Sequence, residues 1–426
     1  MAGRRTVADR LAQALGAVLG TTELPVRLRG WDGSISGPEG APVVAVRSRR
    51  ALRRMAWSPG QLGIGRAYVA GEIDLEDDVF ETFTALRTAG RLNQEGPAAA
   101  TTWRERLALA GTALRLGAVG REPAPPAEEA PTAGGRRHTE DRDAAAIAHH
   151  YDVSNDFYAL VLGPSMVYSC AVWESPETGV DAAQEAKLDL VCRKLGLTEG
   201  SRLLDVGCGW GSMAIHAAQR YGATVVGITL SEEQARLARK RVAEAGLTDK
   251  VDIRVQDYRA VDDEPFDAIS SIGMAEHVGR AQMPGYVAQL DRLLRPGGRL
   301  LNHAISWNAG TATWNPDSFI ARYVFPDGEL LNLGEMVSSL ESRDLEVLDV
   351  EALRQHYALT LRAWVGNLEA NWDAAVTATS EGRARVWRLY MAASALTFEA
   401  GDMGVNQVLL QKTGGEQPPL RRAAWT

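Results

Sequence analysis

Two periods of apolar and polar residues alternate along the second half of the chain. Short apolar runs of strand length are followed by stretches with the 3.6-residue period of an amphipathic helix. The segments are, in order, LLDVG, GSMAIHAAQRYG, TVVGITL, SEEQARLARKRVAEAG, VDIRVQDY, FDAISSIG, GYVAQLDRLLRPGG and RLLNHAISW. Repeated strand–helix units predict a mostly parallel, doubly wound α/β sheet, in which ligands bind at the carboxyl ends of the strands. Residues 351–412 are predicted to be largely helical additions to it.

The first part of the chain follows another pattern. Residues 1–20 have the spacing of an amphipathic helix, and residues 24–48 alternate between short apolar runs and Gly or Pro turns, as short strands do. Residues 121–143 are rich in Pro, Ala, Gly and charge, which is typical of a linker. We therefore predict a smaller N-terminal α+β domain at 1–120, a linker at 121–143 and the main domain at 144–426.

Composition narrows the possible functions. The 426 residues are 45% hydrophobic and carry a net charge of −8, so the molecule as a whole is not suited to bind nucleic acid. Three irregularly spaced cysteines suggest neither a disulfide framework nor a zinc site, and they fit a reducing, cytoplasmic compartment. No apolar run reaches the ~20 residues of a membrane span. The basic cluster at 46–57 is either a solvated helix face or a contact with anionic lipid headgroups.

The segment LLDVGCGWG places an acid and three glycines between a predicted strand and a predicted helix. Glycines there let the backbone approach a ligand and present amide groups at a helix N-terminus. The spacing Gly-x-Gly-x-Gly differs from the dinucleotide fingerprint Gly-x-Gly-x-x-Gly. It is the pattern of Rossmann-like class I methyltransferases that use S-adenosylmethionine; the alternative is a tight packing turn without a ligand.

Later strand ends supply the remaining predicted cofactor contacts. Thr229 and Gln234 take the place of the acid that often binds the ribose hydroxyls, Asp257 is suited to accept from the adenine amino group, and Tyr258 to lie against the ring. The full predicted set is Tyr168, Ser169, Asp205, Gly207, Gly209, Trp210, Gly211, Thr229, Leu230, Gln234, Asp257 and Tyr258. A surface position is the alternative for Tyr258.

With these residues in view, the chain resembles the cyclopropane-fatty-acyl-phospholipid synthase family of methyltransferases. The matching segments run from about residue 149 to 411, and residues 62–74 resemble the family's smaller N-terminal domain. They include HHYDVSNDFYALVLGPSMVYSCAVW, LLDVGCGWGSMA, SSIGMAEHVG, LNHAIS, FIARYVFPDGEL and HYALTLRAW. The resemblance implies that a methylene unit is added from S-adenosylmethionine to a cis double bond of an acyl chain in a phospholipid.

The resemblance also implies a bound bicarbonate ion that acts as the base. Its cage consists of Cys170, Glu276, His303, the backbone at Ile305, and Tyr357. Attack of an alkene on the sulfonium methyl group leaves a carbocation, which has to be shielded from water until one proton is lost. Tyr168, Trp173 and Phe325 are candidates for that apolar wall. We expect His277, beside Glu276, to face away or pack locally, and taken singly a buried Cys or His is more often a core residue.

The chain departs from common family members in FPDGELLNLGEM and VLGPSM, segments expected near the acyl chain. These departures resemble an actinobacterial branch associated with methyl-branched fatty acids, and they favour a 10-methylene product over a cyclopropane ring. A flavin-dependent reductase would then saturate that product. The resemblance further implies a homodimer that acts peripherally at the inner face of the membrane.

Two functions of other classes remain open from the sequence. A small-molecule C- or N-methyltransferase would share the cofactor fold but use a small polar pocket. A non-catalytic lipid-binding protein would have a decayed site, against which the intact glycine loop and cage residues argue.

Overall fold

The computed structural model describes residues 5–19, 21, 23–91, 111–112, 114–130, 142, 154–308, 315 and 317–424. The chain divides into two compact units. The first comprises residues 1–131, 317–324 and 380–396, and the second comprises 132–316, 325–379 and 397–426. Two short segments from late in the chain therefore belong with the N-terminal unit. The boundaries proposed at 120 and 143 stay a prediction, since much of the predicted linker lies outside the described residues.

The elements are numbered in chain order within the described residues. The helices are α1 (Val7–Leu19), α2 (Arg49–Trp57), α3 (Gln61–Val69), α4 (Val79–Arg91), α5 (Asn155–Leu162), α6 (Val180–Leu195), α7 (Ser212–Tyr221), α8 (Glu232–Glu244), α9 (Ala275–Val278), α10 (Met283–Leu293), α11 (Phe319–Tyr323), α12 (Leu333–Leu340), α13 (Arg354–Ala370), α14 (Trp372–Ala378) and α15 (Glu381–Glu399). The strands are β1 (Arg27–Arg29), β2 (Ile35–Ser36), β3 (Val43–Val46), β4 (Ile73–Leu75), β5 (Arg202–Val206), β6 (Thr224–Thr229), β7 (Val251–Val255), β8 (Phe266–Ile272), β9 (Leu294–Trp307), β10 (Leu345–Ala352) and β11 (Met403–Lys412).

The first unit has a four-stranded sheet in the order β2-β1-β3-β4, with β1 and β3 parallel and the other pairs antiparallel. The amphipathic helix α1 buries Leu11 in the same cluster as Leu28, Val46 and Ile73 from the sheet. The apolar face of the helix therefore packs on the apolar face of the sheet, and the two form one core. The short strands and the N-terminal helix predicted for this region are present.

A buried carboxylate ties the late segment 317–324 into the first unit. Glu129 accepts hydrogen bonds from Arg66 at 2.7 Å, from Arg322 Nε at 2.9 Å and from the Tyr323 hydroxyl at 3.1 Å. The two guanidinium groups hold the pKa of Glu129 below its usual range in spite of the burial that opposes them. Removing either partner from such a cluster leaves a buried charge uncompensated.

The second unit is built on a seven-stranded sheet in the order β10-β11-β9-β8-β5-β6-β7. The five strands from β9 to β7 in that order are parallel, and β11 and β10 add antiparallel at one side. Helices cover both faces, so central strands such as β5 (RLLDV) are nearly continuous apolar runs. Two apolar clusters fill the space on the two faces. The predicted doubly wound α/β class is confirmed.

Two details of the prediction were wrong. Pro-Gly-Gly at 296–298 was expected to end a helix, but α10 already ends at Leu293 and these residues belong to the long strand β9. Residues 403–412, expected to be part of a helical region, form β11. The spacing of apolar residues could not identify β11 as a strand, because it is buried on both faces and its apolar and polar residues do not alternate.

Candidate active site

A cleft with about 1100 Å³ of empty volume, counting space open to solvent, lies at the carboxyl ends of β5, β6, β7 and β8. This is the edge where a doubly wound sheet binds its ligand. Of the predicted cofactor contacts, the cleft is lined by Tyr168, Ser169, Asp205, Gly207, Gly209, Trp210, Thr229, Leu230, Gln234, Asp257 and Tyr258. Gly211 is not among the described lining residues, and it forms the N-cap of α7. The cleft therefore brings together residues from four separate stretches of the chain.

The glycine loop follows directly from the end of β5. Gly207, Gly209 and Gly211 have φ of 78°, 53° and 81°, a left-handed region that residues with a side chain adopt at a cost. The amide groups of Gly207 and Cys208 both donate to the Ile228 carbonyl, at 3.0 and 2.9 Å, which fixes the loop onto β6. The loop thus exposes backbone close to the cleft and leads into the N-terminus of α7, as a bound cofactor requires.

Asp205 is the last acid of β5 and is buried at the base of this cleft. Its Oδ1 accepts from the Ser270 hydroxyl at 2.7 Å, while Oδ2 is buried and has no partner among the described residues. Burial raises the pKa of Asp205 to about 6, although the Ser270 hydrogen bond and the charge of Lys187 oppose the shift. An unpartnered carboxylate oxygen on a cleft wall is suited to accept from a ligand amino group or hydroxyl.

Two loops frame the adenosine side predicted for the cofactor. The Thr229 hydroxyl donates to Gln234 Oε1 at 2.8 Å, so the amide nitrogen of Gln234 remains for a ligand oxygen. Asp257 accepts from Arg259 through both carboxylate oxygens, at 2.8 and 2.7 Å. That pairing competes with the adenine contact expected of Asp257, so its role stays a prediction. Tyr258 is mostly buried, with its ring edge-on to Tyr286.

Of the residues predicted for the anion cage, Cys170, Glu276, His303 and Tyr357 are buried and Ile305 is half-buried, and none of the five is among the described lining of the cleft. Glu276 is presented by the single-turn helix α9 after β8. Its Oε1 accepts from the Ile305 amide at 2.7 Å, and its Oε2 is buried without a partner among the described residues. Burial raises the pKa of Glu276 to about 7, against the two backbone hydrogen bonds.

His303 lies two residues before Ile305 on β9, so both residues face the same side of the sheet. Its Nδ1 is 3.3 Å from the side-chain nitrogen of Gln407, and its Nε2 is buried without a partner in the described part of the chain. Burial, together with the positive charges of Lys187 and Lys194, lowers the pKa of His303 to about 3. The imidazole is therefore neutral at physiological pH.

Cys170 and Tyr357 are joined through one backbone group. The Cys170 thiol donates to the carbonyl of Leu353 at 3.6 Å, and the Tyr357 amide donates to the same carbonyl at 3.1 Å as α13 begins. Burial raises the pKa of the Cys170 thiol well above its usual range, so it is not a thiolate nucleophile. The Tyr357 ring packs against Phe398 with centroids 4.8 Å apart.

Of the three aromatic residues suggested for an apolar wall, Tyr168 is among the described lining residues of the cleft and Trp173 and Phe325 are not, so the wall stays a prediction. The Tyr168 ring lies 5.4 Å from Trp364 and reaches the cleft. Trp173 is buried and donates from its indole nitrogen to the Thr360 hydroxyl at 3.0 Å. Phe325 packs against the ring of His277 at 5.8 Å.

Two residues of the site were missed or misjudged from the sequence. His277 was expected to face away or to pack locally; it lines the cleft, so it does not face away, and its ring packs against Phe325. Lys187 on α6 also lines the cleft, although it is only 1% exposed, and it donates to the Ser169 hydroxyl at 3.0 Å. Burial lowers the pKa of Lys187 to about 8. A lysine inside an amphipathic helix gives no local signal that it is buried, whereas the one-residue spacing from Glu276 could have pointed to His277.

The mostly parallel sheet and the glycine-lined cleft define a class I methyltransferase that uses S-adenosylmethionine. The model of the mycolic acid cyclopropane synthetase family matches residues 138–408, and the chain belongs to this family. The resemblance drawn from the motifs is confirmed.

Solved and curated relatives agree with this assignment. The chain is 42% identical to a probable fatty acid methyltransferase of Mycobacterium tuberculosis, across 96% of this chain and 97% of the relative. It is 35% identical to the tuberculostearic acid methyltransferase of the same organism, across 92% and 89%. The crystal structure of mycolic acid cyclopropane synthase complexed with SAH and CTAB matches 63% of this chain and 98% of its own, with 34% identity and a TM-score of 0.59. The chain is thus a methyltransferase that acts on fatty acyl chains.

Proposed function

We propose that the enzyme transfers a one-carbon unit from S-adenosylmethionine to the cis double bond of an unsaturated acyl chain in a phospholipid, with bicarbonate as the base. The observation that carries the proposal is a pair of buried polar atoms, Glu276 Oε2 and His303 Nε2, that have no partner among the residues the structure describes. A buried polar atom without a hydrogen bond costs about 1–3 kcal/mol, so two of them around one site favour a small polar ligand. Burial raises the pKa of Glu276 and lowers that of His303, so His303 is a neutral donor and Glu276 an acceptor close to its pKa. An anion that also carries a hydroxyl group would satisfy both.

Each cage residue has a distinct task. Neutral His303 can donate to an anion oxygen, and Glu276, with a pKa near 7, can accept from its hydroxyl and pass a proton on. Bicarbonate, when bound, would supply the base that takes the proton from the acyl carbocation. The rings of Tyr168 and Trp173 exclude water and tolerate the positive charge.

The favoured product is the 10-methylene acyl chain, with the cyclopropane ring as the alternative. Both segments that depart from common family members lie at the site. In FPDGEL the Glu329 amide donates to the backbone carbonyl of Glu276 at 2.9 Å, and in VLGPSM the Met166 side of the segment lines the cleft. The similarity to a tuberculostearic acid methyltransferase supports the same branch. Saturation of a methylene group needs a hydride donor, which a flavin-dependent reductase partner would supply.

The test is mass spectrometry of acyl chains after incubation with S-adenosylmethionine and oleoyl phospholipid vesicles, with and without bicarbonate. We expect a gain of one methylene unit that depends on bicarbonate, and NMR signals of an exo-methylene group. Upfield ring protons would instead establish the cyclopropane product. S-adenosylmethionine binding without any mass gain would favour the small-molecule methyltransferase alternative.

For membrane contact, we propose a basic apolar surface on the first unit, formed by Arg49, Arg53, Trp57, Leu114 and Val119. Trp57, Leu114 and Val119 are 54%, 67% and 64% exposed, which is unusual for large apolar side chains. They belong to one surface because the Trp57 indole donates to Gly120 and Arg53 Nε donates to Gly117, both at 3.1 Å. Within the described residues, neither Arg49 nor Arg53 pairs with an acid, whereas Arg54 is buried against Glu72.

An anionic bilayer surface fits this chemistry. Tryptophan prefers the boundary between headgroups and acyl chains, and arginines attract anionic lipid. None of the described helices combines the length and the apolar character needed to cross a bilayer. Contact from the surface would therefore bring the enzyme to its acyl substrate. A homodimer is also proposed, and analytical ultracentrifugation would test it.

A further inference from the structure

One row of side chains crosses three strands behind the anion cage. His303 on β9 lies directly opposite Gln407 on β11, and Gln407 lies opposite Glu351 on β10. Directly paired residues share one face of a sheet. Lys194 near the end of α6 covers this row. Its ammonium group lies 2.5 Å from Glu351 Oε2, 3.3 Å from Asp349 Oδ2 and 2.9 Å from Gln407 Oε1.

These contacts leave the Gln407 amide only one orientation. Lys194 and Gln407 are both 0% exposed, so water cannot substitute for a wrong partner. An ammonium group only donates, so the amide has to turn its oxygen to Lys194 and its NH₂ group to His303. The NH₂ group also only donates, and the Nδ1 atom of His303 at 3.3 Å therefore has to accept.

We infer that Lys194 and Gln407 are positioning residues that hold His303 as the Nε2–H tautomer, so that Nε2 always donates into the anion cage. The inference rests on the proposed function for the role of the cage as an anion-binding site, whereas the tautomer follows from the hydrogen bonds alone. Because an amide cannot carry a proton, the row fixes His303 without relaying protons through it. Among the cage side chains, Glu276, with a pKa of about 7, is then suited to take the released proton. The low pKa of His303, caused by burial and by the charges of Lys187 and Lys194, agrees with a permanent neutral donor.

The tautomer is measurable by two-bond ¹H–¹⁵N correlation spectra of protein labelled with ¹⁵N in the histidine rings, without substrate or bicarbonate. The His303 signals are assigned by their loss in His303→Gln. We expect Nδ1 at the shift of an unprotonated ring nitrogen and Nε2 at that of a protonated one. A protonated Nδ1 in the unaltered enzyme overturns the inference.

Gln407→Glu should invert the pattern, because a carboxylate paired with Lys194 accepts from Nδ1–H. Gln411→Glu is the matched control, since Gln411 is also buried on the same face of β11 but bonds Arg299 and the Glu416 carbonyl. Gln407→Glu should also raise the bicarbonate concentration for half-maximal activity about tenfold to a hundredfold, the range for losing a hydrogen bond to a charged group. An unchanged tautomer in Gln407→Glu contradicts the inference. If both proteins show the expected tautomers but their activity does not depend on bicarbonate, the result would contradict the proposed function and leave the inference about the tautomer intact.

Discussion

The buried carboxyl group of Glu276 lowers the free energy of unfolding at neutral and alkaline pH. Its carboxyl group has an ordinary pKa of 4.5 when unfolded, and burial raises the pKa to about 7 in the folded protein. The folded state therefore binds this proton more tightly, and the resulting stability is present below about pH 4.5 and lost as the pH rises through about 7. At about 1.4 kcal/mol per pKa unit the loss is about 3 kcal/mol at most. A buried carboxyl group that lowers stability by this amount above pH 7 is better explained by a chemical role than by a structural one.

Glu276→Gln should therefore stabilise the protein at pH 8 while it removes the reaction. A glutamine oxygen can still accept from the Ile305 amide, so the free energy of unfolding at pH 8 should rise by about 2–3 kcal/mol and change little at pH 4.5. Methyl transfer should fall about a hundredfold or more, because a group that accepts a proton is lost. Urea titrations at both pH values and acyl-chain mass spectrometry measure the two effects. Glu346→Gln at an exposed position of β10 is the control, and a destabilised Glu276→Gln at pH 8 would contradict the account.

At the scale of elements, α2 combines two functions on two sides. Arg54 is buried against Glu72 at 2.9 Å and holds the helix to its unit, whereas Arg49 and Trp57 are exposed and Arg53 is half-buried on the opposite side. The Ser48 side chain caps the helix N-terminus by accepting from the Arg50 amide. The basic cluster at 46–57 was expected to be either a solvated helix face or a lipid contact, and only the structure shows that Leu114 and Val119 lie beside it.

Arg49→Gln combined with Arg53→Gln should weaken vesicle binding. Each arginine near an anionic surface contributes about 1 kcal/mol, so the partition coefficient on phosphatidylglycerol vesicles should fall about thirtyfold. Co-sedimentation at low salt measures it. Arg220→Gln combined with Arg236→Gln removes the same charge from exposed helix positions in the second unit and should have little effect. The proposed surface would be contradicted if the unaltered enzyme and both double variants bound these vesicles equally. It would also be contradicted if the unaltered enzyme bound phosphatidylcholine vesicles as well as phosphatidylglycerol vesicles.

Across the whole molecule, the two units are interleaved in sequence. Segments 317–324 and 380–396 come after most of the parallel strands, yet they belong to the first unit. There Arg385 is 5% exposed and lies 3.1 Å from Asp74, and Tyr323 is 1% exposed beside Glu129. These partners are more than 190 residues apart in the chain. The second unit is thus not a separable fragment of the chain.

A chain that begins at residue 144 should consequently be unstable, although the family match begins near there. The truncation leaves Arg385, Arg322 and Tyr323 without their buried partners, and a broken buried ion pair costs about 3–5 kcal/mol. We expect a lower melting temperature and increased binding of a hydrophobic dye. Glu129→Gln in the full chain tests one cluster alone and should show a smaller effect in the same direction. A truncated chain that melts like the full one would show that these contacts contribute little.

The sequence allowed prediction of what depends on neighbouring residues. The carboxyl ends of β5 and β8 and the glycine loop follow from local spacing, and the structure has them. Contacts between distant segments could not be predicted in this way. Lys194 and Gln407 meet across 213 residues, and nothing in VCRKLG or VNQVLL indicates that each is fully buried. The same holds for Lys187, whose burial depends on strands that come later in the chain.

The position of β11 has a consequence for how the enzyme is made. It follows β10 in the chain but lies between β9 and β10 in the sheet. During synthesis on the ribosome, which proceeds from the N-terminus, β9 and β10 therefore emerge with a gap between them, and their facing edges stay unpaired until β11 arrives. Exposed strand edges of this kind are the sites where nascent chains associate wrongly. The same late strand brings Gln407 to His303, so the nascent enzyme cannot have an ordered anion cage before its sheet is complete.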